Sequence, residues 1–290
     1  MADFEIFELG NPVLQSGATL RGAKLAYKTY GTLNRAKDNA IVLPTFFGGQ
    51  HTANEGIIGE GQALDPSKYF IVVPNMLGNG LSSSPSNTPP PYGQARFPGV
   101  TVHDNVMLQH RLMTEKLGVE KIAMVTGWSM GAQQTFQWGC LYPDIVERIL
   151  PICGSAKTSR HNYVFLEGVK FALTADDAWQ DGWYDKPPTK GLRAMGRVYA
   201  GWAVSQAFYR EEIYLKIGYS SLEDYLVSFW EGRRVLSDAN NFLAMIWTWQ
   251  NADLSDNPLY GGDYEKALGG IKAKAIVMPC VTDLYFTPED

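Results

Sequence analysis

The sequence predicts an α/β fold with a mostly parallel central sheet and helices on both of its faces. Short apolar runs alternate with longer helical patterns along the chain, which is typical of strands joined by helical crossovers. Ile41–Leu43 and Phe70–Val73 are continuous apolar runs, as expected of strands that are buried on both faces. From residue 162 to residue 262 the pattern is helical with no strand candidate. We therefore expect a core of residues 1–161 and 263–290 with a helical lid insertion between them.

The predicted elements follow in chain order. Seven segments have the pattern of strands: Glu5–Leu9, Lys24–Tyr30, Ala40–Pro44, Tyr69–Pro74, Ile122–Thr126, Arg148–Cys153 and Ala275–Pro279. Helices are predicted at Asp104–Leu117, which carries an apolar stripe, and at Gly131–Leu141. In open α/β sheets the loops after the strands form the ligand crevice, so we expect the functional residues in those loops.

The predicted lid is rich in large aromatic side chains. They are Trp179, Trp183, Tyr184, Trp202, Tyr209, Trp230, Trp247 and Trp249. An aromatic helical insertion between two strands is typical of a cover over a substrate pocket. For most of these residues taken singly, packing between helices explains the aromatic side chain equally well.

Composition and charge narrow the class of protein. The 290 residues are 45% apolar and 19% charged, which is ordinary for a globular protein. A formal charge of −5 gives no electrostatic reason to expect a nucleic acid or an anionic membrane as partner. The first residues lack the pattern of a signal peptide, and no apolar run approaches the length of a spanning helix. The three cysteines lack any CxxC spacing, so we expect buried free thiols, no metal site and a cytoplasmic enzyme.

Gly127–Gly131 carries the main chemical signal, because it fits G-x-S-x-G between a predicted strand and a predicted helix. A serine at such a turn takes a strained backbone, and the flanking glycines leave room for the neighbouring strand and helix. The turn lifts the hydroxyl of Ser129 above the sheet and directs the amide of Met130 at a developing oxyanion. A structural turn serine is the alternative. The position in the chain favours Ser129 as a nucleophile.

Two further loops complete the expected site. The second oxyanion donor is predicted in the glycine-containing loop Thr45–Gly49, at the amide of Phe47 or, second, of Phe46; an ordinary glycine turn is the alternative. Asp283 follows the last predicted strand, where a carboxylate can orient an imidazole and stabilise its charged form. A solvated loop aspartate is the competing interpretation of Asp283.

In enzymes with a G-x-S-x-G turn of this kind, the catalytic serine, acid and histidine follow one another in that order along the chain. This chain offers no histidine in the third place. The histidines are His51, His103, His110 and His161, and none follows Asp283. Three explanations remain open: the chain is truncated, the protein is inactive, or an earlier histidine, best His51, acts as the base. An apolar last strand without a further neighbour would expose an unpaired edge, which favours truncation.

Several segments together resemble the homoserine O-acetyltransferase family of α/β-hydrolases. They are Gly127–Gln134, Tyr142–Asp144, Gly154–Ala156, Asn75–Gly78, Phe97–Thr101, Gly191–Leu192 and Asp238–Leu243, and the resemblance extends from about Ala26 to Phe286. It implies an α/β-hydrolase fold, an acyl-enzyme on serine, a helical lid, a histidine some dozens of residues beyond Asp283, and homodimers in many members.

Two departures from this family bear on the substrate. Its members usually carry His-Ala-Leu-Thr-Gly where this chain has Thr45–Gly49, and a His-x-Thr-Tyr stretch after an arginine where Arg197 is followed by Val198–Trp202. Arg197 matches the basic residue and could meet a substrate carboxylate, although a surface ion pair explains it equally well. We expect Phe46, Trp128, Arg197 and Trp202 at a more aromatic pocket.

These expectations combine into one predicted function. The chain is predicted to be a serine hydrolase of an ester, thioester or related acyl substrate, similar to homoserine-acetyltransferase-like hydrolases that include enzymes of secondary metabolism. Acetyl transfer from acetyl-CoA to homoserine is the first alternative, and a catalytically inactive binding protein is the second. The mechanism needs no metal and no bound cofactor, and its only expected partners are a small-molecule acyl substrate and a second copy of the chain.

Overall fold

The computed structural model describes residues 3–290, and its core is one seven-stranded sheet. The strands are β1 (Glu5–Gly10), β2 (Ala23–Tyr30), β3 (Ala40–Val42), β4 (Phe70–Pro74), β5 (Ile122–Trp128), β6 (Arg148–Ile152) and β7 (Lys274–Ala275). Their spatial order is β1-β2-β4-β3-β5-β6-β7. The pairs β1–β2 and β2–β4 are antiparallel, and every pair from β4 to β7 is parallel. The predicted mostly parallel sheet is confirmed.

Alternation of side chains gives the sheet two apolar faces. Ile41, Ile71 and Val73 pack together on one face of the sheet. Val42 and Val72 point to the opposite face, where they join the larger core beneath the first two helices. Because successive residues of a strand point to opposite sides, continuous apolar runs at β3 and β4 are the expected signature of a sheet buried on both faces.

Ten helices follow or connect these strands in the described residues. They are α1 (Val102–Arg111), α2 (Met130–Leu141), α3 (Arg160–Thr174), α4 (Thr189–Ala203), α5 (Gln206–Arg210), α6 (Ile213–Lys216), α7 (Leu222–Tyr225), α8 (Gly232–Arg234), α9 (Ala239–Gln250) and α10 (Tyr264–Gly269). Helix α1 begins earlier than predicted because Thr101 and Asp104 form a capping box, with Thr101 Oγ1 accepting from the Asp104 amide at 3.1 Å. Its last predicted turns are a π-helical segment, Leu112–Lys116.

Helices α3 to α9 form an all-helical assembly over the carboxyl ends of the parallel strands, and we call it the cap. It has an apolar core of its own, which includes Leu166, Met195 and Trp249. Phe47 and Met130, from the sheet part of the chain, are buried in the same cluster. The cap is therefore attached to the sheet by the side chains of the two residues whose amides are the predicted oxyanion donors.

The last strand differs from its prediction over Ala275–Pro279. Regular pairing with β6 covers only Lys274–Ala275, although the amides of Ile276 and Met278 still donate to β6 carbonyls at 3.1 and 3.0 Å. Ile276 is 67% exposed, so these side chains lie at the sheet edge rather than in the core. In the part of the chain that the structure describes, no helix combines the length and apolarity needed to cross a membrane.

Candidate active site

Ser129 lies at the sharp turn between β5 and α2. Its φ of 55° and ψ of −127° fall in a region that side-chain-bearing residues rarely adopt. The strain is held by hydrogen bonds from the Ser129 amide to the carbonyls of Ile152 and Cys153, at 3.0 and 3.1 Å. This is the strained strand-to-helix geometry that the G-x-S-x-G pattern predicts.

Glycine is required on both sides of this turn. A Cβ on Gly127 would lie 2.8 Å from the backbone of Gly131, and one on Gly131 would lie 2.9 Å from the carbonyl oxygen of Pro44. These contacts involve backbone atoms, which cannot rotate away. The two glycines therefore let α2 begin directly beside β3 and the loop that follows it.

The loop Thr45–Gly49 is held beside the turn by buried polar groups. The Gln134 side chain, on α2, donates to the Thr45 carbonyl at 2.8 Å and accepts from the Gln109 side chain at 2.6 Å. The Thr45 hydroxyl accepts from the Met76 amide at 2.9 Å. Gly48 has a φ of +70°, which a side chain would strain, so the loop turns tightly above the start of α2.

Met130 is the first residue of α2, so its amide has no acceptor within the helix. The ring of Phe47, by contrast, is fixed in the cap, stacked on Tyr199 with a centroid distance of 5.6 Å and an interplanar angle of 14°. The arrangement places both predicted oxyanion residues next to Ser129, in the helix start and in the adjacent loop. Their role as donors remains a prediction.

Asp283 lies in a tight turn after the last strand. Its Oδ1 accepts from the amides of Phe286 and Tyr285 at 2.9 and 3.1 Å. Both rings are anchored in the cap, Tyr285 against Phe165 and Phe286 against Trp249. Burial raises the pKa of the Asp283 carboxyl, and the two amide hydrogen bonds oppose this in part.

A cavity of about 730 Å³ joins these groups. Its lining includes the predicted site residues Ser129, Asp283, Phe46, Phe47, Trp128 and Trp202. Phe46 and Trp128 contact each other with ring centroids 5.2 Å apart. The structure therefore brings the proposed nucleophile and acid to one cavity with an aromatic wall. Among residues 3–290, no three His, Cys, Asp or Glu side chains are grouped so as to hold a metal ion.

Arg197 is placed elsewhere, contrary to the expectation that it reaches the pocket. Its guanidinium pairs with Glu223 on α7 and with Glu231 at the end of the π-helical segment Leu226–Glu231, and it does not line the cavity. Glu231 is almost fully buried, and Arg193 and Arg197 together compensate its charge. The ion-pair interpretation, not the substrate-carboxylate interpretation, fits this geometry.

No histidine within residues 3–290 lines the cavity. His51, the best substitute base by sequence, is buried, with Nε2 3.2 Å from Asp3 and Nδ1 3.2 Å from the Asn75 amide. His110 stacks on Tyr142 at 3.9 Å, and His161 contacts Trp202 from outside the cavity. In this arrangement His51 cannot take the proton of Ser129.

Sequence reasoning missed two residues of this site and misplaced two thiols. Gln134 positions the Thr45 loop, and Arg234 lines the cavity; neither has a sequence signal, because both depend on packing between distant segments. Cys140 is buried as expected, but Cys153 and Cys280 are half-buried and line the cavity, because Cys153 directly follows β6 and Cys280 lies two residues after Met278, which pairs with β6.

Comparison with known proteins places the chain in a family. Residues 41–238 match the family model of the alpha/beta hydrolase fold. The chain is 42% identical to the ethyl acetate hydrolase of Pseudomonas veronii, over 99% of this chain and 82% of that protein. The solved structure of the acetyl esterase MekB superimposes with a TM-score of 0.96 at 41% identity, covering 100% of this chain and 84% of that one.

The homoserine O-acetyltransferase of Trichormus variabilis is more distant, at 32% identity over 96% of this chain and 79% of that protein. The resemblance found in the sequence is thus confirmed at the level of the family, with esterases nearer than acetyltransferases. These matches, together with the strained Ser129 turn and the sheet topology, show that the chain belongs to the α/β-hydrolase family of enzymes.

Proposed function

We propose that this protein is a serine esterase that cleaves short acyl esters, acetate esters above all, through an acyl-enzyme on Ser129. The observation that carries the proposal is the strained Ser129 turn, which opens into the same cavity as Asp283. The 42% identity with a named ethyl acetate hydrolase supports a small ester as substrate. The lining is largely aromatic, which suits the small apolar groups of an acetate ester.

The proposed reaction uses side chains and backbone amides. Ser129 Oγ attacks the ester carbonyl, and the Met130 and Phe47 amides hold the resulting oxyanion. Collapse of this intermediate releases the alcohol and leaves an acyl group on Ser129. Water then attacks the acyl carbonyl by the same route and releases the acid.

A base must accept the Ser129 proton in the first step and return a proton to the leaving alcohol. No histidine of residues 3–290 lines the cavity, and we propose that an imidazole placed against Asp283 serves as this base. The raised pKa of Asp283, caused by burial, is consistent with a carboxyl group prepared for a cationic partner.

Acetyl transfer to homoserine is the second candidate, favoured by the 32% identity with an acetyltransferase. Both reactions share the acyl-enzyme and differ only in the acceptor. The residue matching the family's pocket arginine, Arg197, is bound to Glu231 and Glu223, which leaves an amino-acid carboxylate without that partner. This ion pair and the higher identity with an ethyl acetate hydrolase favour water as the acceptor.

The test compares this chain with Ser129→Ala, using ethyl acetate, p-nitrophenyl acetate and p-nitrophenyl octanoate. Imidazole is added to all samples as an external base, because no histidine of residues 3–290 lines the cavity. We expect Ser129-dependent release of acetate that is faster than release of octanoate.

Equal rates for the two proteins would overturn the proposal and favour an inactive binding protein. Acetyl transfer from acetyl-CoA that requires homoserine would favour the acetyltransferase instead.

A further inference from the structure

Arg234 occupies an unusual position in the wall of the cavity. Its guanidinium carbon lies 4.9 Å from the ring centroid of Tyr199, 5.2 Å from Phe242, 5.5 Å from Phe47 and 6.0 Å from Trp230. Aromatic faces attract a cation, and this attraction grows when water is removed. The four rings therefore hold the guanidinium at a fixed place beside the cavity.

This charge has no described counterion. Within residues 3–290 no carboxylate lies within ion-pairing distance of Arg234, and its enclosed Nε has no hydrogen-bond acceptor. Burial lowers the pKa of Arg234, but a guanidinium stays protonated in proteins. Arg234 is partly buried, and a charge that is withdrawn from water without a partner is costly, so a residue kept in this state is a candidate for binding an anion.

The position of the guanidinium relative to the loop Thr45–Gly49 indicates which anion it binds. A Cβ built on Gly48 would lie 2.9 Å from Arg234 Nη1, so the guanidinium packs against the residue that follows Phe47. The other charged groups of the cavity lie elsewhere in its lining: Asp283 in its own turn and Arg233 exposed, over the ring of Phe229. Arg234 is thus the enclosed cation beside the predicted oxyanion donors.

We propose that Arg234 is the anion-binding residue of this cavity, which stabilises the negative oxygen formed on the substrate carbonyl and then binds the carboxylate of the acid product. This inference rests on the proposed esterase function. When Ser129 attacks, the carbonyl π electrons move to oxygen. This negative charge exists only briefly, in the tetrahedral intermediate. The carboxylate of the released acid carries a lasting negative charge.

The proposal differs from a purely structural role for Arg234. A cation held by four rings would also clamp the cap to the Phe47 loop, and its loss would then lower stability without changing which ligands bind. An anion site instead discriminates between ligands of one shape and different charge. Butyrate and butyramide are such a pair, and their binding requires neither turnover nor an external base.

The experiment measures binding of butyrate and butyramide by calorimetry or by displacement of a fluorescent apolar probe. We expect the protein to bind butyrate at least about tenfold more tightly than butyramide, since hydrogen bonds to charged groups are worth at least that factor. Arg234→Met, which keeps the length and apolar packing, should abolish most of this preference. Arg234→Lys should retain part of it, and Arg210→Met, on an exposed turn of the cap, should retain all of it.

Equal affinity of the unmodified protein for the two ligands would overturn the proposal, even if Arg234→Met failed to fold. A folded Arg234→Met variant with the full preference for butyrate would do the same. Ser129→Ala should keep the preference, so a failure of the esterase proposal is distinguished from a failure of this one. In the imidazole-supplemented ester assay, Arg234→Met should lower kcat about tenfold or more and change KM less, because the charge it removes acts on the intermediate.

Discussion

The two walls of the cavity are built by different means. The sheet-side wall, which we define as Phe46–Gly49, Ser129 and Asp283, consists of turns that follow three parallel strands. The cap-side wall, defined as Tyr199, Trp202, Trp230, Arg234 and Phe242, consists of side chains from α4, α8, α9 and the π-helical segment Leu226–Glu231. Backbone turns fix the chemistry on one side, whereas side-chain packing sets shape and charge on the other. Substitutions in the cap-side wall can therefore change the preferred substrate while the reaction at Ser129 stays the same.

The largest expected effect comes from disturbing the sheet-side wall at Gly131. Gly131→Val would force a side chain against the Pro44 carbonyl oxygen, where the Cβ alone would lie at 2.9 Å. We expect the start of α2 to shift, with kcat in the ester assay lowered about a hundredfold or more. Overpacking should also reduce the free energy of unfolding by about 1–3 kcal/mol, measured by urea titration.

Gly168→Ala, on α3 with no atom within 4 Å of the added methyl group, is the control. It should leave kcat unchanged and raise the free energy of unfolding by about 0.5–1 kcal/mol, because alanine favours helix over glycine. Wild-type turnover in folded Gly131→Val would contradict the claim that this wall is fixed by backbone geometry.

Gln134 offers a smaller perturbation of the same wall. Gln134→Leu leaves the buried Thr45 carbonyl and the Gln109 Nε2 group without their partner, which should cost about 1–3 kcal/mol of unfolding free energy. The Thr45 loop should also move, lowering kcat about tenfold. Gln133→Leu, which loses a hydrogen bond to Thr158, should destabilise the fold and keep kcat within about twofold. Similar kcat losses in both variants would show that the position of Gln134 is not special.

Asp283 connects the two walls, because its loop is anchored by rings in the cap. The burial of its carboxyl group should be visible in the pH dependence of stability. Burial raises its pKa in the folded protein, so the folded state holds the proton more tightly than the unfolded chain. The stabilisation of the folded state by the protonated Asp283 carboxyl is fully present below the ordinary pKa and is lost as the pH rises through the raised pKa. Asp283→Asn should therefore gain Tm relative to wild type between acidic and neutral pH.

Asp176→Asn is a control of opposite sign. Amide hydrogen bonds from Gly191 and Ala178 lower the pKa of Asp176, so its stabilisation is present above the ordinary pKa and is lost as pH falls. This variant should lose Tm at neutral pH and approach wild type in acid. A gain of Tm for Asp283→Asn that is independent of pH would contradict the proposed burial of its charge.

The same contrast explains what the sequence could predict. Ser129 and its glycines were predictable because strand, turn and helix are encoded within a dozen consecutive residues. Asp283 followed from the rule that loops after parallel strands meet at one edge. The choice between Arg197 and Arg234 was not predictable, since it depends on which guanidinium the buried Glu231 captures from another helix. The short extent of β7 depends likewise on tertiary pairing and not on the local apolar run.

The smallest expected effect tests this difference between the two arginines. Arg197→Met removes a cation that is already paired with Glu223 and Glu231, outside the cavity lining. Its KM for short esters should stay within about twofold of wild type, because these ion pairs do not face the cavity. Its Tm should fall slightly, since Arg193 remains to pair with Glu231. A KM rise comparable to the loss of butyrate affinity in Arg234→Met would mean that Arg197 reaches the substrate after all, and that the cap rearranges when ligand binds.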